Sequence, residues 1–297
     1  MLDILTIMEL LFMGVLLGTV YAPLVLGFNI IYKSSKVVNF AQGEMLMVGA
    51  YIAYTFYTLT APNIFLGLFL AIAFSPLVGL IVERFILRPL IARSVFAVIM
   101  VTICLGSVFQ GLTQVIWSPI PLSVPRIFPI EPIRIGGISV PTVYVGSAAI
   151  SALLIIVLML LYHKTRFGIS MRAAAADQEA ALSMGVNVKM VFALAWMLSA
   201  IASTIAGILL SNIYGFVSQA VLFIGLRVLT AAIVGGLDSV PGAVVGAMLI
   251  GVIESVGGIL EPFVAPGFKQ VFPLIFVLIF LIFKPYGLFG TERIKRI

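Results

Sequence analysis

The chain has 297 residues, 62% of them hydrophobic, with 17 Lys and Arg against 11 Asp and Glu for a net charge of +6. A soluble domain is roughly 45–50% apolar and about 25% charged, whereas only 9% of this chain is charged. That composition excludes a soluble globular enzyme, a disordered chain and a collagen-like chain, and it predicts an all-α bundle of helices buried in lipid.

Taken from the start, the chain does not read as a cleavable signal. Asp3 and Glu9 come first and no basic residue precedes Lys33, whereas a signal peptide places Lys or Arg before a short apolar core. Runs long enough to span, about 20 residues or somewhat fewer where neighbours cover them, fall at 9–32, 44–61, 64–86, 95–117, 143–163, 190–211, 220–236, 240–258 and 270–284. The run 220–236 is short and leads into a Gly-rich turn, so it reads as either a short crossing or a re-entrant segment. The expected architecture is a polytopic bundle of about 8–9 membrane segments. It forms a single domain over 1–297, with an extracytoplasmic loop at 118–142 and a cytoplasmic loop at 164–190.

The connecting segments carry the orientation. Lys33, Lys36, Arg84, Arg88, Arg93, Lys164, Arg166, Arg172, Lys189, Lys284, Arg293, Lys295 and Arg296 fall on one side, 13 of the 17 basic residues. Arg126, Arg134 and Lys269 fall on the other, and Arg227 lies inside a span. The basic side is cytoplasmic by the positive-inside rule. The N-terminus is then outside and the C-terminus inside, which needs an odd number of crossings and favours nine. Basic residues spread between apolar runs in this way are topology determinants; a nucleic-acid binder concentrates them in one patch.

The 118–142 loop holds six of the fifteen prolines, which rules out a continuous helix. Within it, Ile133-Arg134-Ile135 and Ile138-Ser139-Val140 alternate around Gly136-Gly137, a short hairpin signal. Gly14 and Gly18, Ala202 and Ala206, and Gly242 and Gly246 repeat small residues at four-residue spacing, which lets helices approach closely in lipid. Cys104 and His163 are the single cysteine and histidine. They exclude an intrachain disulfide and a zinc site. Cys104 is expected as inert packing and His163 as an interfacial residue.

Charges inside a bilayer cost about 2.5–3.5 kcal/mol on insertion scales and so are functional candidates. Glu44, Arg227 and Glu254 qualify. If the spans holding Arg227 and Glu254 turn near Asp238, the two side chains are offset by about 7.5 Å along the axis at 1.5 Å per residue. They would then form either a structural ion pair or a gate on a polar path. Asn39-Phe40-Ala41-Gln42-Gly43-Glu44 is a polar hexamer at the start of a span. Either Asn39 caps the helix that follows, or the segment lines a cavity. Residues 165–190 are cytoplasmic yet contain a strong helix former over 171–182, with Gly185 as its stop. A short Ala-rich helix of this kind is either a plain interfacial helix or a docking surface for another protein.

Four stretches together carry a family resemblance. Glu179-Ala180-Ala181 followed by Gly185 resembles the EAA loop of the permeases of ATP-binding-cassette importers. With Val38-Asn39-Phe40-Ala41-Gln42-Gly43-Glu44, Gly225-Leu226-Arg227 through Gly242, and Pro285-Tyr286-Gly287-Leu288-Phe289-Gly290, the chain resembles the branched-chain amino-acid permease family over essentially its whole length. It departs from the family pattern at Gln42, where many members have His, and at Arg227, where many have Lys. The resemblance implies an inner-membrane permease subunit that pairs with a second, related permease, two cytoplasmic ATPase subunits and an extracytoplasmic substrate-binding protein. Arg172, Asp177, Glu179, Ala180, Ala181 and Gly185 would couple it to the ATPases. Asn39, Gln42, Glu44, Arg227 and Glu254 would line or gate the path. The chain has no Gly-x-x-x-x-Gly-Lys-Ser/Thr loop, so no cofactor is expected in it; ATP and Mg would be bound by the partner ATPases, and the chain itself would not be an enzyme. The other readings are a urea or short-amide permease of the same family and an ATP-independent secondary transporter. A membrane enzyme would need clustered His, Asp or Cys.

Overall fold

Each apolar run becomes a helix. The computed structural model describes residues 4–61, 63–90, 93–135 and 137–290. Arg293, Lys295 and Arg296 of the expected cytoplasmic end, and Gly136 of the expected hairpin turn, lie outside the described residues. The helices are α1 (Ile4–Ser35), α2 (Gln42–Thr60), α3 (Ile64–Ile81), α4 (Val95–Trp117), α5 (Thr142–Lys164), α6 (Arg166–Ala176), α7 (Gln178–Ser183), α8 (Val188–Tyr214), α9 (Leu222–Gly235), α10 (Val240–Val264) and α11 (Phe268–Phe283). Among the described residues six are long and apolar enough to cross a membrane, counting α3 with its extension to Leu90; α2, α9 and α11 are shorter or less apolar.

The bundle is built around α1 and α8, whose side chains are largely buried. The spaced small residues explain how neighbours reach them. Gly14 and Gly18 face Gly251, Ser255 and Ala247 of α10, and a Cβ on Gly18 would sit 2.6 Å from the Ala247 carbonyl oxygen. Gly242 and Gly246 meet Gly235 and Ala231 in the same way and close the α9–α10 hairpin. Helices α3, α4, α5 and α11 form the outside and present large apolar residues outward, among them Phe69, Val115, Leu153 and Leu278. In a membrane chain this is the lipid-facing surface. Cys104 is exposed on this outer side, not packed as the sequence suggested, because it lies on the face of α4 opposite Leu105 and Gly106, which are buried, Gly106 against Glu44 of α2.

The 118–142 loop contains the expected hairpin. Strand β2 (Pro132–Ile135) pairs antiparallel with β3 (Ile138–Pro141), with Ile133 opposite Val140 and Arg134 opposite Ser139. The Ser139 amide donates to Glu9 at 2.8 Å, which ties the hairpin to the start of α1. A second ribbon pairs β1 (Leu122–Ser123) with β4 (Phe216–Val217), so the α8–α9 connector belongs to the same end. At the opposite end, Lys36 meets Asp238 at 3.2 Å and Lys33 donates to Tyr162 at 2.7 Å. The amides of Leu288 and Phe289 bond the carbonyls of Val234 and Gly235 at that same end. The basic segments described here therefore gather at one end and the Pro-rich loop at the other, as the charge pattern required.

Three elements depart from regular helix. Helix α9 has 14 residues, about 21 Å at 1.5 Å per residue, against a hydrocarbon thickness of about 30 Å. The extended and 3₁₀ segment 216–221 before it supplies the remaining length. The run 220–236 is thus a broken span joining opposite ends of the bundle. After α3 the chain continues through a π-helical turn, Val82–Leu87, and a 3₁₀ turn, Arg88–Leu90. The Ala-rich stretch is not the one helix expected over 171–182. It breaks into α6 and α7 at Asp177, whose extended backbone (φ −154°, ψ 114°) lets its carboxylate accept from the Glu179 and Ala180 amides. An Asp that can cap competes with helix continuation.

Candidate transport site and coupling surface

Arg227 and Glu254 meet inside the bundle. Arg227 Nη1 donates to Glu254 Oε1 at 2.8 Å and to the Tyr21 hydroxyl at 3.2 Å, while that hydroxyl donates to Glu254 Oε2 at 2.9 Å. Lys269 Nζ lies 3.7 Å from Glu254 Oε1. Glu254 is 1% exposed and Tyr21 fully buried. The α9–α10 hairpin brings the two charges together across the axial offset expected from their spacing, and α1 adds the phenol that satisfies the second carboxylate oxygen. Removing one partner of such a buried pair costs about 3–5 kcal/mol, because the other is left uncompensated. A cavity of about 400 Å³ reaches this pair from the end that carries the 118–142 loop, lined also by Phe216, Phe223, Lys269 and Gln270. Its walls are aromatic and aliphatic and its floor is charged.

The polar hexamer dips into the bundle before α2 begins. Asn39 and Gln42 are buried. Gln42 Nε2 donates to Ser199 at 3.1 Å and Ser203 at 2.9 Å, both on α8. Asn39 Nδ2 donates to Gln42 Oε1 at 3.0 Å, and Asn39 Oδ1 accepts from the Ala41 amide at 3.1 Å. The N-cap of α2 is Ala41, with no side-chain cap bond. Asn39 therefore makes an Asx turn ahead of the helix and does not cap it, a local bond that competes with capping, one of the two roles the sequence left open. Glu44 differs from both, being half-exposed and turned toward α4, where Gln110 Nε2 donates to it at 3.0 Å. A small cavity of about 70 Å³ is lined by Asn39, Gln42, Glu44, Gly225 and Leu226. It lies where α2 and α9 cross at Gly43 and Gly225, so closely that a Cβ on either would meet the other's Cα at 2.7 Å.

The hydrogen bonds then run outward. Gln219 Nε2 donates to the Gln110 carbonyl at 3.4 Å, and Gln114 Nε2 donates to Gln219 Oε1 at 3.0 Å. Glu44, Gln110, Gln114 and Gln219 thus form a polar ladder on a face where Phe40, Phe223 and Leu226 are exposed. The sequence reading did not single out Gln110, Gln114 or Gln219, nor Tyr21, Ser199 and Ser203. A signal was present: Gln110 and Gln114, like Ser199 and Ser203, recur at i, i+4 on one face of an apolar helix. Tyr21 carried no such mark.

At the end of the bundle that carries Lys33 and Lys36, α6 packs on α1, α5 and α8, and α7 projects beyond it. Arg172 turns inward. Its guanidinium donates to the Tyr162 carbonyl and lies 5.3 Å above that ring, so it anchors α6 to the end of α5. Ala181 is buried, Glu179 and Ala180 are exposed, and Leu182 and Met184 stand out by 57% and 86%. Gly185 has φ +82° with open space around the position of a Cβ. It is required by its left-handed backbone, not by the close approach of a neighbour. Exposed apolar residues beside an exposed carboxylate suit a protein contact. Among the described residues no group of three His, Cys, Asp or Glu is placed to hold a metal ion.

The comparisons with known proteins bear on this architecture. Residues 10–282 match the family model described as the permease component of branched-chain amino acid transport systems. The chain belongs to this family. A probable branched-chain amino acid transport permease of Methanocaldococcus jannaschii is 31% identical, with 92% of this chain and 90% of the relative covered. The high-affinity branched-chain amino acid permease protein BraD of Pseudomonas aeruginosa is 27% identical, with 96% of each covered. The corresponding LivH protein of Escherichia coli is 25% identical over 98% of this chain and 97% of its own. In fold alone, the chain is similar to a solved structure titled PsaBC from Streptococcus pneumoniae in complex with Fab, with TM-score 0.50, 15% identity, and 94% and 91% of the two chains covered. As a member of this permease-component family the chain is a multi-pass inner-membrane transport subunit, not an enzyme.

Proposed function

We propose that this permease imports branched-chain or closely related small amino acids as one half of a paired channel. The second half is a related permease seated against the face that carries the Glu44–Gln110–Gln219–Gln114 ladder. Two cytoplasmic ATPase subunits, which hold ATP and Mg, dock on α6 and α7. An extracytoplasmic binding protein delivers substrate at the loop 118–142. The N-terminus is outside and the C-terminus cytoplasmic.

The observation that carries this reading is the α6–α7 pair. A short helix is held out at the basic end of the bundle by Asp177 and Gly185, and it shows Glu179, Leu182 and Met184 to no other part of the described chain. Glu179 contacts the ATPase through a charge-assisted bond, Ala180 and Ala181 keep the helix slim enough to enter a groove, and Arg172 passes its displacement to α5. Closure of the ATPases then tilts the bundle between inward-facing and outward-facing states. Asn39 and Gln42 fix the start of α2 to α8, so Glu44 moves with that pair. Arg227 and Glu254 form the floor of the outer cavity and gate it.

Uptake competition separates the substrate readings. With the partner subunits present, excess leucine is expected to suppress labelled valine uptake and urea to leave it unchanged. Suppression by urea alone would assign the chain to amide import.

A further inference from the structure

A further cavity lies at the cytoplasmic end, away from the transport path. It measures about 140 Å³ and sits between the turn after α3, the start of α4 and the coupling helix α7. Water occupies about 30 Å³ per molecule, so the space suits a group of a few heavy atoms. Trp196, Phe192 and Leu87 form apolar walls, and Lys36, Arg88 and Arg93 bring cations to it.

These cations are not equivalent. Lys36 is held by Asp238. Arg88 gives Nε to Glu83 Oε1 at 3.1 Å and Nη2 to Glu83 Oε2 at 2.7 Å, a bidentate fork that fixes the guanidinium plane. Its Nη1 makes no hydrogen bond to a described residue. Glu83 is 1% exposed and lies in the π-helical turn, a distortion that recurs at functional sites. Arg93 is exposed and pairs with no acidic group among the described residues. Lys36 itself has φ +57°, the left-handed conformation that a side-chain-bearing residue adopts only when its surroundings impose it. A buried carboxylate thus aims one guanidinium at a cavity that already holds an uncompensated second one, above an apolar wall. Gln178, the first residue of α7, closes the cavity from the coupling side.

We propose that this cavity binds a phosphate-bearing anion at Arg93 and the free edge of Arg88, against Gln178 of the coupling helix. A bound anion would neutralise Arg93, accept from the free Nη1 of Arg88, whose charge Glu83 already balances, and brace α7 against the α3–α4 turn. It thereby links what occupies the cytoplasmic face to how firmly the coupling helix is held. The chemistry is shared by the headgroup of an anionic phospholipid, whose chains would lie along the apolar wall, and by free phosphate. Basic pockets between helices on the cytoplasmic side favour such headgroups. This proposal does not depend on which substrate is carried.

The test compares the wild-type permease, Arg93→Gln, and the control Lys164→Gln, which alters an exposed cytoplasmic cation elsewhere. The Arg93 side chain makes no hydrogen bond to a described residue, so Arg93→Gln is expected to fold. Retained phosphatidylglycerol is counted by native mass spectrometry after purification in mild detergent. Thermal stability of the delipidated protein is then followed with phosphatidylglycerol and, separately, with inorganic phosphate. A fall of about fivefold in retention or in apparent affinity is expected for Arg93→Gln and not for Lys164→Gln, the factor one basic residue near an anionic headgroup is worth. An effect confined to the lipid identifies a headgroup site, and an effect with inorganic phosphate identifies free phosphate. Equal behaviour of Arg93→Gln and wild type in both arms overturns the proposal.

Discussion

Arg227 and Glu254 illustrate how far single residues carry the account. Their spacing about Asp238 announced a possible pair, and the pair forms. The third member, Tyr21, was illegible because nothing in an apolar helix marks one tyrosine as the partner of a carboxylate 233 positions away. The geometry yields a graded prediction. Arg227→Ala and Glu254→Ala are each expected to lose about 3–5 kcal/mol of stability in detergent unfolding. The apolar double variant Arg227→Met with Glu254→Leu should recover most of it. If the pair also gates the cavity, uptake by the double variant falls about tenfold, which corresponds to roughly 1.4 kcal/mol in a rate-limiting barrier. Wild-type uptake by a stable double variant would leave the pair a purely structural clasp.

At the scale of elements, helices were the legible part. Length and hydropathy located the apolar runs that become helices, and the small-residue spacings marked positions of close approach without naming the partners, which are α10 for Gly14 and Gly18 and α9 for Gly242 and Gly246. Breaks were harder to read. The Ala-rich stretch favours helix at nearly every position, yet Asp177 splits it, because one carboxylate capping two amides outweighs the modest propensity of the residues around it. Asn39 was open to two readings, a cap or a cavity lining, and it bonds its own turn and leaves α2 uncapped. The end of α7 offers a clean test. Gly185 needs a left-handed backbone and nothing else, so Gly185→Asn should retain uptake, while Gly185→Val should lose most of it at a local cost of about 1–2 kcal/mol. Equal uptake by the two would show that the turn does not set the position of α7.

Charge sorts the two ends of the whole molecule. The described basic segments and the Pro-rich loop occupy opposite ends of the bundle, which the order of the chain made readable once the charges were sorted by segment. Side-chain networks that cross between distant segments, such as the glutamine ladder from Glu44 to Gln114, were not readable, since they depend on which helices become neighbours. Orientation can be checked in cells after Cys104, exposed on α4, is replaced by Ser. A membrane-impermeant thiol reagent should label Gly137→Cys from outside, and should reach Lys189→Cys only after the membrane is opened. The reverse pattern would invert the molecule and move α6–α7 away from the ATPases.

The most direct measurement is uptake of labelled leucine by proteoliposomes that contain this permease, its paired permease, the two ATPases and the binding protein. The account predicts accumulation that requires ATP and is abolished by Glu179→Ala, while that variant still inserts and still assembles with the other permease. Leucine uptake that proceeds at the same rate without ATP, or that Glu179→Ala leaves untouched, would contradict it.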